Sequence, residues 1–531
     1  MRFFRIIFYK NGQIILKMDM RFENLIFYQI YVNSFCDSNG DGIGDIKGVL
    51  SKIDYLKRLG INAVWLTPFY KSPGKDNGYD ISDYYSLNAD MGTTSDIQTL
   101  IKTLHKNGIF VIVDLVANHT STAHLWFENS RQKKGKYKDY YFWYKTPPNA
   151  WKSVFGGSAW AYDEVRKEYY LHSFATEQAD VNWDNENVRK EFEKVVDFWL
   201  KKGVDGFRCD VLDMIAKDFE EDKNGNGVHL RAYIEGLFHR KGVQCFTVGE
   251  CWSADISLAK TLTHPSKKAL TTLFSFWHLC LENGRFAKRK PTLYQMLSRL
   301  STWQAQTQKA GLLPTVFFEN HDLPRSVSRF CDDKKYRYES ATLLGAMLLT
   351  HYGIPFLFQG EEIGVTNSWH DTIDGYPDVE SVGFYLSKRT KLLKGERLKR
   401  IYFGGRDNGR RMMPWTEKKQ KSWLAPYDRQ REINVKKDVN ARKSVFRFYQ
   451  ALVSLRKKEK CLTQGKYACV RISKNAYVFT REIDGERITI ACAFEKGAKI
   501  PKIEGEILLS NYVKTESRFQ PYQVVLYKQN L

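Results

Sequence analysis

The sequence predicts an α/β fold: a closed TIM (β/α)8 barrel with a subdomain inserted after its third strand and a small antiparallel β domain at the C-terminal end. Three features of the chain point to it. Short apolar, β-branched runs alternate with helical stretches, the pattern of a parallel sheet covered by helices. Eight such runs can be counted, at about 25–35, 63–70, 109–119, 206–211, 246–251, 273–277, 315–320 and 355–359, and eight close a barrel. Beyond residue 463 the helical signal stops and the short alternating runs YACVRIS, AYVFTR, RITIACAF, EILLSN and YQVVLYK follow, which read as an antiparallel sheet.

Taken in order, residues 1–20 read as an extension, poorly ordered or belonging to an upstream start, and residues 21–118 carry the first three strands and their helices. Residues 119–185 are far longer than the usual few-residue connection after a barrel strand. They are rich in aromatic residues and lysine, so they read as a subdomain over the active face, with Trp143, Trp151 and Trp160 mainly in its own core and a sugar-stacking ring among them as the lesser alternative. Residues 186–462 complete the barrel and 463–531 form the β domain.

Composition narrows the class. The 82 basic and 60 acidic residues leave a net charge of +22, but the excess is scattered rather than gathered in one aromatic-laced patch, which argues against nucleic acid. Nine cysteines without a CxxC pair or a His/Cys cluster suggest neither a disulfide framework nor a zinc site and fit a reducing cytoplasm. The start MRFFRIIFYK lacks the apolar core of a signal peptide, and no window has the roughly 18 apolar residues of a membrane span. A cytoplasmic monomer without a membrane partner is expected.

Three runs end on carboxylates. GFRCDV places Arg208 and Asp210 two apart on one strand and therefore on one face. There the guanidinium holds the carboxylate ionised, as a nucleophile requires. FTVGEC delivers Glu250 and TVFFENHD delivers Asp322. The loops after barrel strands build the site, so these carboxylates converge. Two carboxyl groups about 5 Å apart across a glycosidic bond make a retaining glycosidase. Asp210 then attacks the anomeric carbon, Glu250 protonates the leaving oxygen, its carboxyl raised by burial and a like-charged neighbour, and Asp322 faces the charge that develops on the sugar. His119 and His321 each follow an asparagine at a strand end, where an imidazole can donate to a sugar hydroxyl or a carboxylate. Asp80, in NGYDISDY, is expected to hold hydroxyls of the terminal sugar, and Asp83 to anchor its own loop. Earlier in the chain, Asp37, Asn39, Asp41 and Asp45 put oxygen side chains at spaced positions of a glycine-rich loop, which suits Ca²⁺. Gly48 stands where the closing glutamate of an EF-hand would be, so Asp45 takes more of the load.

DLVANH, GFRCDV, TVGE and ENHD, with EQADVNW at 177–183, resemble in order and spacing the sequence blocks of the α-amylase superfamily of glycoside hydrolases. Within it, YQIYVNSF, DSNGDGIGD, DNGYDISDY, FGGSAW, QGEEIG and RDNGR are similar to the group of oligo-1,6-glucosidase, dextran glucosidase and trehalose-6-phosphate hydrolase. The resemblance implies exo-action on short α-glucosides, with Asp210 as nucleophile, Glu250 as acid/base and Asp322 as stabiliser. It implies substrate contacts at Asp80, His119, Arg208, His321 and Arg410, and a structural Ca²⁺ held by Asp37, Asn39, Asp41, Asp45 and the Ile43 carbonyl, with no organic cofactor. In this group valine directly after the nucleophile goes with α-1,6 cleavage, and here it is Val211. Isomaltose is therefore expected over maltose. Trehalose 6-phosphate is the alternative, which the positive charge would suit, followed by an α-1,4-glucosidase or a transglucosylase. The chain departs from the group in RDNGRRMMPW, in Leu323 and in Cys209 and Cys251, which flank nucleophile and acid/base and are expected to make the enzyme sensitive to thiol reagents.

Overall fold

The computed structural model describes every residue except 1–2, 11–12, 241–242, 267–268, 388–390 and 514–517. Eight strands form one sheet: β1 (Phe27–Ile30), β2 (Ala63–Leu66), β3 (Phe110–Val116), β4 (Gly206–Asp210), β5 (Phe246–Cys251), β6 (Thr272–Ser275), β7 (Thr315–Val316) and β8 (Ile354–Phe358). Their order is β6-β5-β4-β3-β2-β1-β8-β7, with neighbours parallel. The sheet curls until β6 meets β7, and there threonine side chains bridge the seam. Thr272 Oγ1 donates to Leu313 O at 2.7 Å and Thr315 Oγ1 to Leu273 O at 3.0 Å. Every barrel strand is buried along its length, which explains why they read as continuous apolar runs instead of alternating ones. Several strands stop earlier than the runs suggest, β7 most of all. The residues beyond it turn out of the sheet, and Glu319 instead receives Arg325 Nη1 at 2.9 Å.

Between β3 and β4 the chain leaves the barrel. His119–Ser121 pairs antiparallel with Gln178–Asp180 and closes the neck of this insertion. Inside, Trp143–Tyr144, Trp160–Asp163 and Glu168–Leu171 form a separate three-stranded sheet. Phe142, Trp151, Ala159, Trp160 and Leu171 make its core, and Trp143 lies 4.5 Å beneath the Arg166 guanidinium. These tryptophans hold the subdomain together.

Near the C-terminus, β9 (Lys466–Ile472), β10 (Ala476–Ile483), β11 (Glu486–Ala493), β12 (Glu506–Ser510) and β13 (Val524–Asn530) form an antiparallel sheet ordered β9-β10-β11-β13-β12. A buried arginine fastens it to the barrel through a carbonyl oxygen: Arg481 Nη1 reaches Thr350 O at 2.7 Å. The N-terminal extension is no irregular tail. Phe3–Lys10 and Gln13–Arg21 pair as an antiparallel hairpin, a sheet of its own. Among the described residues no helix is long and apolar enough to cross a membrane.

Candidate active site

The site grows from one register match. Arg208 on β4 lies opposite Asp114 on β3 and two residues before Asp210, so a single guanidinium meets several acids. Its Nη1 lies 2.5 Å from Asp114 Oδ1 and 2.6 Å from Asp210 Oδ1, and its Nη2 lies 2.5 Å from Glu250 Oε2 at the C-terminal end of β5. Arg208 is 1% exposed and Glu250 2%. One buried positive charge cannot offset three negative ones, so the cluster keeps a proton. Burial raises all three carboxyls against the pull of Arg208: Asp114 to about 6, Asp210 to about 7 and Glu250 to about 8. Glu250 is raised furthest of the three and ionises last. The expectation that Arg208 keeps Asp210 firmly ionised needs correcting, because its charge is divided among Asp114, Asp210 and Glu250.

Glu250 is also aimed. Its Oε2 accepts from the Val211 N–H at 3.0 Å and its Oε1 from Trp252 Nε1 at 3.0 Å. Val211 achieves this at φ +35°, a left-handed conformation that strains a β-branched residue. Its side chain faces the cavity beside the acid.

Asp322 lies in the opposite field. Arg410 Nη2 lies 2.7 Å and Arg406 Nη1 3.2 Å from its Oδ1, with His321 Nε2 3.0 Å from its Oδ2. Burial works to raise this carboxyl, but the charges of His321, Arg410, Arg406 and Arg285 outweigh it and hold Asp322 well below the usual range. Burial holds His321 itself down to about 3. The imidazole is therefore neutral at pH 7, and the arginines supply the depression there. Gln29 Nε2 donates to His321 Nδ1 at 2.7 Å, which leaves the proton on Nε2, 2.6 Å from the Tyr79 hydroxyl. Arg410 is fixed from behind as well: Ser34 Oγ donates to its carbonyl at 2.5 Å and accepts from Trp423 Nε1 at 2.9 Å.

These groups surround a cavity of about 1190 Å³. Asp210, Val211, Glu250, Asp322, His119 and Arg410 are on its wall, and burial lowers the His119 imidazole toward the neutral form. Arg208 and His321 stand behind the wall and act through the carboxylates they touch. Asp80 is not part of it. Its Oδ1 accepts from Ser72 Oγ at 2.8 Å and from the Asp76 N–H at 3.2 Å, which turns it away from the cavity. Asp76 takes the place assigned to Asp80. It lines the cavity, with Oδ1 3.5 Å from Arg406 Nη2 and Oδ2 3.2 Å from Gln178 Nε2. The readable signal was Asn77-Gly78, both at positive φ, a tight turn that folds Asp76 back over the site. Asp83 anchors its loop through the Tyr85 N–H at 2.9 Å and Ser86 Oγ at 2.5 Å. Arg406, Asp114 and Trp252 were not singled out from the sequence. Cys209 and Cys251 are fully buried, and burial raises both thiols well above their ordinary range. Such thiols do not meet reagents, so the expected sensitivity at these positions has no structural basis.

In the loop at 37–45, Asp37 accepts from the Gly40 N–H at 2.7 Å and the Gly42 N–H at 2.8 Å, and Asp41 from the Ile43 N–H at 2.7 Å. These are Asx-type turns, with the Asn39 amide donating to Asp41 Oδ2 at 2.9 Å, and among the described residues no group of three or more Asp, Glu, His or Cys side chains is gathered as a metal site. Asp45 is partly committed elsewhere. Its Oδ1 takes Ser38 Oγ and the Gly48 N–H, capping the helix Ile46–Leu50, while Oδ2 takes the Ser38 N–H and keeps a lone pair.

Residues 29–465 match the α-amylase catalytic domain. An oligo-1,6-glucosidase of Parageobacillus thermoglucosidasius is 38% identical over 95% of this chain and 98% of its own. The crystal structure of Bacillus licheniformis trehalose-6-phosphate hydrolase superposes with a TM-score of 0.89 at 35% identity, covering 96% of this chain and 99% of that one. The trehalulose synthase of Pseudomonas mesoacidophila does so at 0.90 and 34%, with coverage of 96% and 99%. The chain belongs to the α-amylase family of glycoside hydrolases.

The carboxyl order sets the pH profile. Turnover needs Asp210 ionised and Glu250 protonated, so kcat/KM falls below about 7 and above about 8, with both limbs belonging to the coupled pair. On an aryl α-glucoside whose leaving group needs no proton, Glu250→Gln is expected to lose the alkaline limb and keep the acid one. An alkaline limb that persists in this variant would assign the acid elsewhere.

Proposed function

We propose that the protein is a retaining, exo-acting α-glucosidase that cleaves α-1,6 bonds of isomalto-oligosaccharides through a covalent glucosyl-aspartate at Asp210. The observation that carries the exo reading is a buried charged pair on the cavity wall. Asp76 Oδ1 and Arg406 Nη2 face each other there, both buried and without a hydrogen-bond partner. Buried polar atoms left unpaired cost about 1 to 3 kcal/mol each, and hydroxyls of a terminal glucosyl ring would satisfy both.

The chemistry follows from the same groups. Asp210 attacks the anomeric carbon while Glu250 gives its proton to the leaving oxygen. Asp322, kept ionised by Arg410 and Arg406, faces the oxocarbenium charge. In the second half, water loses a proton to Glu250 and displaces Asp210. The α-1,6 preference rests on Val211, whose branched side chain stands beside the acid where the leaving sugar enters.

A phosphorylated substrate is the less favoured reading, despite the net charge of +22. Cations on the cavity wall are already committed: Lys223 is 3.6 Å from Glu221, Arg285 is 2.8 Å from Glu380, and Arg406 and Arg410 face Asp76, Asp322 and Asp378. A phosphate would have to displace a carboxylate. We further propose that the loop at 37–45 binds Ca²⁺ as a structural ion.

Initial rates on isomaltose, maltose and trehalose 6-phosphate test the substrate. Isomaltose is expected to lead, and Val211→Thr to lower the isomaltose-to-maltose ratio about tenfold, the scale of a single-group change in a pocket. Equal or faster cleavage of maltose by the wild type would remove the linkage assignment, and a lead for trehalose 6-phosphate would move the substrate. For the ion, EDTA is expected to lower Tm by about 2 to 4 °C, Ca²⁺ to restore it, and Asp41→Ala to abolish the response. A Tm indifferent to both additions would refute the ion.

A further inference from the structure

Beside the carboxylates, the cavity wall carries the aromatic residues Trp252, Phe276 and Trp277. The Trp252 indole donates to Glu250 at 3.0 Å, which fixes this ring beside the acid. Trp252 stacks on Phe276, with centroids 3.9 Å apart and planes 9° from parallel. The next residue is Trp277, also on the wall and 45% exposed, whereas Phe276 beneath Trp252 is 4% exposed. Glu250 protonates the leaving oxygen, so this is the leaving-group side.

Trp277 is not a loose surface ring. The Arg299 guanidinium lies over it at 5.9 Å and donates to its carbonyl at 3.2 Å. Arg299 is itself held by Glu282 in a two-pronged pair, at 2.8 and 2.6 Å. One side of the indole is thus backed by a fixed cation and the rest is left to the cavity. Glu282 and Gln306, also on the wall, offer hydrogen-bond partners around it. An aromatic ring fixed from behind, open in front and bordered by polar groups is the arrangement that stacks on the apolar face of a pyranose ring.

We propose that Trp277 is the platform of an outer leaving-group subsite, which binds the third glucosyl ring of an α-glucan and makes the enzyme prefer trisaccharides and longer chains to disaccharides. This deepens the functional reading above and rests on it. The indole contributes to longer substrates only, because a disaccharide ends over Trp252 and Phe276.

The test is kcat/KM on isomaltose and isomaltotriose for wild type, Trp277→Ala and Trp277→Tyr. Wild type is expected to prefer isomaltotriose. Trp277→Ala is expected to lower isomaltotriose kcat/KM about three- to tenfold, the scale of one aromatic contact, and to leave isomaltose within about twofold. Trp277→Tyr, which keeps a stacking face, is expected to retain most of the preference. An equal fall on both substrates in Trp277→Ala, or no change on either, overturns the platform. If wild type cleaves maltose but not isomaltose, the linkage reading fails by itself, and maltose against maltotriose decides the platform by the same criteria.

Discussion

The site depends on one buried arginine shared by three carboxyl groups. Arg208 can touch Asp114, Asp210 and Glu250 at once because β3, β4 and β5 are adjacent and in register in the barrel. With a full positive charge each, the three acids would all ionise; with none, burial would keep all three protonated. Sharing one charge leaves the cluster between these limits, with Asp210 ionising before Glu250, the order that the proposed nucleophile and acid require. The fold therefore sets the protonation states through strand order.

Asp322 is governed by a separate unit. Arg406 and Arg410 come from the helix Asp407–Arg410 and the residue before it, well beyond the last barrel strand. They hold Asp322 ionised while the carboxyls of Asp210 and Glu250, which line the same cavity, are raised. The strained Val211 joins the two halves of the catalytic requirement, since the turn that follows the nucleophile also supplies the N–H that aims the acid. Arg410 is braced through Ser34 and Trp423, so the short helical turn after the first barrel strand and a segment almost four hundred residues later meet behind the same carboxylate.

Much of this was legible in the chain. The barrel was readable because its strands are buried on both faces, and the carboxylates because each ends such a run. What escaped reading depended on contacts between distant residues. Asp80 looked suitable by its neighbours, but Ser72 turns it away and the Asn77-Gly78 turn presents Asp76 instead. Asp114 sits inside an apolar run and gives no sign of its partner, which only the register of β3 against β4 reveals. The thiols of Cys209 and Cys251 were adjacent to the chemistry in sequence yet point into the buried layer behind it.

The central claim is that Asp210 is the group that bonds to the sugar. The most direct measurement is to trap the intermediate with a 5-fluoro-α-D-glucosyl fluoride, whose ring fluorine slows the second step, and to locate the label by peptide mass spectrometry. The account predicts one fluoroglucosyl group on the peptide containing Asp210 and none in Asp210→Asn. A label on Glu250 or Asp322, or rapid turnover with β-configured product and no adduct, would contradict it.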